Sequence, residues 1–214
     1  MNGDILGLLR DRIDLRRVPF TEPESRLLVF GDGDVFRIAL AAYETRPRDT
    51  VAVADLRLID ADGAALDPSV TTFPDRIECA TRLGLFRICF ADRETLVVAP
   101  PPVVCGVSFA VPAASVDAAG EEPTGAADRA VAWRTTDAAT CDIAAGAEGT
   151  QRVRCRFEAA ADAALAICVG PGDWPNSPAL GAGEALAAAR DRWQAWFAAA
   201  PEVVEPYRAQ AAWA

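Results

Sequence analysis

In the stretch Arg152-Val153-Arg154-Cys155-Arg156-Phe157 a charged residue alternates strictly with an apolar one. Successive side chains of a strand point to opposite faces. This segment therefore reads as a β-strand with its arginines on a wet face and Val153, Cys155 and Phe157 on a buried one. A sheet with a single apolar face has to cover it with a second layer. That requirement sets the architecture expected for most of the chain.

The same grammar of strand, turn and strand runs from about Leu27 to Val169. Leu27–Phe30 and Val35–Ile38 flank Gly31-Asp32-Gly33-Asp34, a hairpin signal. Leu56–Ile59 runs into a second Asp-Gly turn at Asp62-Gly63. Ile77–Thr81, Leu85–Phe90 and Thr95–Ala99 read as a meander turning at 82–84 and 91–94. The longest apolar stretch, Thr95 to Val111, contains Pro100, Pro101 and Pro102, so it is two strands joined at a corner and not a membrane span. Residues 112–128, rich in Ala, Gly, Pro and Glu, read as a surface loop. Strands resume at Ala130–Trp133, Cys141–Ile143 and Arg152–Phe157, and the wholly apolar Leu165–Val169 suits a strand covered on both sides. Short strands with frequent turn signals and no helices between them predict a mainly β fold, an antiparallel two-sheet β-sandwich over residues 1–170.

The pattern changes at Gly170-Pro171-Gly172-Asp173-Trp174-Pro175, which opens a linker over 171–183. From Glu184 the period becomes helical, with Leu186, Ala189, Trp193, Trp196, Phe197 and Ala200 on one face. Pro201 stops that helix, and Pro206 opens a second one carrying Tyr207 and Ala211. One or two helices over 184–214 cannot cover their own aromatic faces, so a partner domain is expected.

Composition narrows the chemistry. The 214 residues include no histidine, and all 21 basic residues are arginine. A Ser-His-Asp triad, a Cys-His pair, a His-ligated metal and a lysine Schiff base therefore have no residues to draw on here. The formal net charge of −10 argues against a nucleic-acid partner and against an anionic membrane surface. The start Met1-Asn2-Gly3-Asp4 has no basic stretch followed by an apolar core of the signal-peptide kind, and a cytoplasmic location is expected.

The six cysteines, at 79, 89, 105, 141, 155 and 168, include no C-x-x-C pair. Most lie in apolar, strand-like runs and read as buried thiols acting as small hydrophobes. The alternative, a disulfide set, needs an oxidising compartment. Asp32/Asp34 and Asp60/Asp62 read as hairpin turns in preference to calcium ligands, since neither extends to a distal glutamate. Glu121-Glu122 reads as solvated charge. The Arg152, Arg154 and Arg156 stripe reads as an exposed sheet face, with anion binding as the alternative.

Three segments carry a likeness to a known group. Pro19-Phe20-Thr21-Glu22-Pro23-Glu24-Ser25-Arg26 is similar to an opening P-F-S-x-x-G-S-R segment, with Thr21 in place of the serine and Glu24 in place of the glycine. Asp62-Gly63 precedes a Gly84-x-Phe86…Phe90-x-Asp92-x-x-Thr95-Leu96 stretch. Trp193-Gln194-Ala195-Trp196-Phe197, then Pro201, Tyr207 and Trp213, matches a W-x-x-W-F helix followed by a proline. In this order they resemble the N-terminal region of six-hairpin, (α/α)-barrel glycoside hydrolases. The likeness is to the amylo-α-1,6-glucosidase and mannosylglycerate-hydrolase-like members, related to glycoside hydrolase family 63.

The resemblance implies an ancillary sandwich supporting a carbohydrate-cleaving barrel that lies outside this chain. That barrel would be its partner and would hold the acid and base carboxylates. No catalytic pair, metal or cofactor is assigned to the chain itself. Phe20, Ser25 and Arg26 would border the substrate cleft, or else form a strand-entry segment fixed by packing. Trp174 would contact sugar or wedge between domains. Trp133 is a sugar platform or, in preference, a core residue. Trp193, Trp196, Phe197, Tyr207 and Trp213 would pack between domains. A stand-alone carbohydrate-binding or protein-interaction module is the alternative.

Overall fold

The computed structural model describes residues 5–23, 25–41, 50–112, 131–147, 149–170 and 181–199. The expected loop at 112–128 apart from Pro112, most of the linker with Trp174, and the second helix with Tyr207 and Trp213 lie outside the described residues, as do Glu121 and Glu122.

A four-residue helix α1 (Ile5–Leu8) precedes the strands. The strands are β1 (Leu27–Asp32), β2 (Val35–Leu40), β3 (Val51–Asp60), β4 (Ser69–Thr72), β5 (Ile77–Thr81) and β6 (Gly84–Phe90). Then come β7 (Thr95–Ala99), β8 (Cys105–Pro112), β9 (Val131–Thr135), β10 (Ala139–Ala145), β11 (Thr150–Phe157) and β12 (Leu165–Val169). Helix α2 (Ala182–Ala199) follows, starting two residues before the helical period at Glu184. The strands form two six-stranded sheets, β1-β2-β3-β8-β11-β10 and β4-β5-β6-β7-β12-β9, and their pairings are antiparallel. The fold is the predicted sandwich.

One continuous core lies between the sheets. Leu58, Val107, Phe109, Val153 and Phe157 enter it from the first sheet, and Ile77, Phe86, Ile88, Val98 and Ile167 from the second, all fully buried. Trp133 on β9 meets Phe109 on β8 edge-on at 5.8 Å and is 3% exposed, so the core reading of this tryptophan holds. The proline corner after β7 carries the chain from the second sheet to the first. β11 alternates as read: Val153, Cys155 and Phe157 are buried, while Arg154 and Arg156 face solvent. All five residues of β12 are buried: Leu165, Ile167 and Val169 in the core, Ala166 in the cluster with α2, and Cys168 against Ala132.

Local chemistry explains the turns. Gly33 sits at φ +62° in the two-residue link between β1 and β2, a conformation that costs a glycine nothing sterically. Asp60 Oδ1 accepts the N–H groups of Asp62 (3.0 Å) and Ala64 (2.9 Å), and these bonds, the Ala64 one foremost, hold its carboxyl below the usual range. The Asp60/Asp62 pair is therefore a turn. Asp55 adopts φ +49° where β3 shifts register, and it accepts from Arg57 Nε (2.7 Å) and Arg152 Nη2 (2.6 Å). Arg57 also donates to Asp34, so the Asp34 and Arg152 side chains belong to one polar network on the wet face of the first sheet.

The cysteine expectation needs correction at two positions. Cys141 on β10 lies directly opposite Cys155 on β11, with 4.1 Å between their Cα atoms, and the two form a disulfide. Strict alternation placed Cys155 on the inner face, and the hairpin register brings Cys141 to the same place. Both sulfurs thus meet without backbone movement. Cys79, Cys89, Cys105 and Cys168 are buried free thiols, as expected. Burial pushes Cys79 and Cys89 up to about 12 and Cys105 to about 11.

Candidate functional site

The seat of α2 on the second sheet lies beside the Pro19–Arg26 segment that the sequence singles out. The face turned to the sheet is the narrow one: Ala182, Ala185 and Ala189 pack on Cys89, Ala91, Val97, Ala99, Ala164 and Ala166. Alanine on both sides lets the helix axis approach the strands closely. Asp162 supplies a cap by accepting the N–H of Gly183 at 3.2 Å.

Arg192 extends the alanine stripe by one further turn. It donates from Nε to Glu22 Oε1 and from Nη2 to Glu22 Oε2 (3.0 Å), and it also reaches the carbonyls of Ala91 (Nη1, 2.7 Å) and Phe90 (Nη2, 2.5 Å). The Glu22 side chain is 3% exposed. Its burial raises the carboxyl above its ordinary value, against the opposing pull of the Arg192 hydrogen bonds and charge. One arginine thereby fastens three elements: α2, the end of β6 and the Pro19–Arg26 segment.

That segment is itself tightly built. Phe20 pairs with Val29 as an isolated bridge, is 1% exposed, and stacks on Phe90 at 5.4 Å. Its ring is core and presents no surface for a sugar to stack on. Thr21 Oγ1 donates to the Leu27 carbonyl at 2.8 Å. Ser25 Oγ donates to the Arg93 carbonyl (2.7 Å) and accepts from the Leu27 N–H (3.0 Å), which ties the segment to the β6–β7 turn. Arg26 is exposed. Phe20, Ser25 and Arg26 therefore share one short segment, with the phenylalanine buried, the serine half-buried and the arginine exposed.

The aromatic residues of α2 lie beyond this seat. The expected single apolar face is corrected: Ala189 docks, but Trp193, Trp196 and Phe197 pack on one another, with ring centroids 5.1–5.6 Å apart. Trp196 is 45% exposed. A helix bound through its alanines leaves larger side chains at the margin of the contact, where they gather into a cluster of their own.

A second feature lies between α2 and the opposite end of the sheet. A cleft of about 450 Å³ is lined by Leu6 of α1, Phe73, Asp75, Arg76, Glu78, Arg87, and Leu186 and Arg190 of α2, among others. Arg76 Nη1 donates to both oxygens of Asp75 (2.9 and 3.0 Å) and its Nε to Glu78 Oε1 (2.8 Å), while its guanidinium lies 3.9 Å from the centre of the Phe73 ring. Glu78 and Arg87 are cross-strand partners in the β5–β6 register. Among the described residues no cluster of three or more Cys, Asp or Glu side chains is placed to hold a metal ion, and no helix is long and apolar enough to cross a membrane.

With this geometry in view, comparison with known proteins gives likenesses to solved structures alone. No protein-family model matches the chain, and no curated protein matches it. Among solved structures, the chain is similar to the family GH92 inverting mannosidase BT2199 from Bacteroides thetaiotaomicron VPI-5482, with 10% sequence identity and a TM-score of 0.49. The match covers 84% of this chain and 33% of that one, so this chain spans about a third of that enzyme's length.

Glu22, Arg192 and the cleft residues were not singled out from the sequence. Signals for them exist. Arg192 continues the 182-185-189 spacing of the buried alanines, and Glu22 sits between Phe20 and Pro23 in a segment otherwise read for its Phe, Ser and Arg. In the cleft, Arg76 immediately precedes β5 and Glu78 lies on it, two apart, the spacing of neighbours on one face of an extended chain.

Proposed function

We propose that this chain is the ancillary β-sandwich of a glycoside-hydrolase-like protein, related to the six-hairpin group, and that it supports a carbohydrate-cleaving helical barrel outside the chain. The observation that carries the reading is the mounting of α2. Its alanine face and Arg192 fix it to the sandwich, and the cluster of Trp193, Trp196 and Phe197, with Trp196 45% exposed, is left for a neighbouring domain. The W-x-x-W-F order of these residues, and the Pro19–Arg26 segment that Arg192 grips, are the parts of the sequence that resemble that group. On this reading the sandwich is a support. Its role is to hold the first helix at a fixed angle, and bond cleavage belongs to carboxylates of the barrel.

The stand-alone sugar-binding alternative loses one of its two aromatic platforms, since Trp133 is buried in the core. The test is the coding sequence that follows Ala214. A long helical segment rich in tryptophan and carboxylates is expected, and hydrolysis of aryl glycosides should require it. A stop codon directly after Ala214 would overturn the proposal.

A further inference from the structure

We infer that the cleft between α1, β5, β6 and α2 binds a small organic oxyanion, a carboxylate or phosphate on a compact polar molecule. In a chain of net charge −10, three of the five charged side chains lining this cleft are arginines. The two carboxylates are already engaged. Asp75, only 3% exposed, has both oxygens bonded to Arg76, and Glu78 Oε1 accepts from Arg76 Nε. Arg76 is held in place by these bonds and by the Phe73 ring, and its Nη2 has no hydrogen-bond partner among the described residues.

Arg87 touches Glu78 only loosely, at 3.8 Å through Nε, with 42% of its side chain exposed. Arg190 is exposed on α2, one turn from Leu186, and forms no ion pair among the described residues. Apart from that loose contact with Glu78, Arg87 and Arg190, from the sheet and the helix respectively, have no side-chain hydrogen bond or ion pair among the described residues. Guanidinium groups match the two-oxygen edge of a carboxylate or phosphate. Leu6 and Leu186 add apolar lining for a carbon skeleton, and the cleft volume is of the size that holds a small ligand. This site is separate from the proposed support role: of the residues argued here only Leu186 also touches the alanine seat, and neither Arg192, Glu22 nor the tryptophan cluster lines it.

The experiment is calorimetric titration of the full chain with glucuronate, inorganic phosphate and glucose. Saturable glucuronate binding is expected, weakening as salt is raised and reduced about tenfold in Arg87→Gln and in Arg190→Gln, the loss of one charge-assisted contact. Both positions are solvent-facing, so each variant should keep the parent unfolding midpoint, measured in parallel. Displacement of glucuronate by phosphate would identify a general oxyanion grip. Glucuronate binding that phosphate does not displace would identify an organic acid as the ligand. Absence of saturable glucuronate and phosphate binding, equal affinity for uncharged glucose, or unchanged affinity in both variants would overturn the inference.

Discussion

Arg192 and Glu22 lie 170 residues apart in sequence, yet the guanidinium of one engages both carboxylate oxygens of the other beneath the edge of α2. The same guanidinium satisfies the Phe90 and Ala91 carbonyls at the end of β6. Removing it strands a buried carboxylate and two backbone acceptors at once. Arg192→Ala is expected to destabilise the chain by about 3 kcal/mol, the low end for breaking a buried pair, because Arg192 itself is 37% exposed. Arg192→Lys should fall between, since an ammonium keeps the charge but cannot span the carboxylate and both carbonyls. Urea unfolding at neutral pH measures both.

The pH response of this pair has a definite sign. Burial raises the Glu22 carboxyl above 4.5 in the folded chain, with Asp92 adding to the rise and Arg192 opposing it. The folded state therefore holds this proton more tightly than the unfolded state. The contribution is full below 4.5 and is lost as pH climbs through the raised folded value. Asp55 runs the other way: burial pulls it up, but the bonds from Arg152 and Arg57 prevail and leave it below 3.8. Its contribution is full above 3.8 and is lost as pH falls through the folded value. Unfolding curves across pH 3 to 7 should show Glu22→Gln removing a decline above pH 4.5 while leaving the acid limb in place. They should also show the Arg192→Ala penalty shrinking as Glu22 protonates.

How much of this was legible in the sequence depends on how far apart the deciding residues lie. β11 and the β5–β6–β7 meander were readable because alternation and turn residues are local properties. β4 was not, since Ser69-Val70-Thr71-Thr72 is too short and too polar to show a period. The face of α2 was misassigned because large aromatics outweigh alanines in any hydrophobicity pattern, whereas close approach to a sheet selects the small residues. The Glu22–Arg192 pair and the arginine-lined cleft arise only when distant segments meet, and no local pattern encodes such a meeting.

The disulfide gives a third test. Cys141 and Cys155 are 14 residues apart, and a loop of that length corresponds to about 3 kcal/mol of stabilisation in the chain-entropy account. Replacing both by serine, or reducing the bond, should lower stability by roughly that amount. Native alkylation should label none of Cys79, Cys89, Cys105 and Cys168, which are buried, and alkylation after unfolding without reductant should label all four. Mass spectrometry of protein prepared under oxidising conditions counts the labels. Six labels would contradict the bond, and they would agree with the cytoplasmic location read from the sequence, because such bonds persist mainly in oxidising compartments.

Gly106 on β8 sits where neighbouring strands leave no room for a side chain. A Cβ there would lie 2.6 Å from the Cys155 carbonyl oxygen and 3.0 Å from the Ile59 side chain. Gly106→Ala is expected to cost about 1–3 kcal/mol through forced backbone displacement. Thermal unfolding of the variant checks this, and an unchanged midpoint would show that β8 yields freely.

Native dye binding tests most directly whether α2 presents Trp193, Trp196 and Phe197 to a neighbouring domain. The folded chain should enhance the fluorescence of a dye for exposed apolar surface. Trp196→Ser should remove most of that signal without shifting the unfolding midpoint, since Trp196 is nearly half exposed and outside the alanine seat. A monomeric chain that binds no dye, or a Trp196→Ser variant that binds as much as the parent, would contradict the claim.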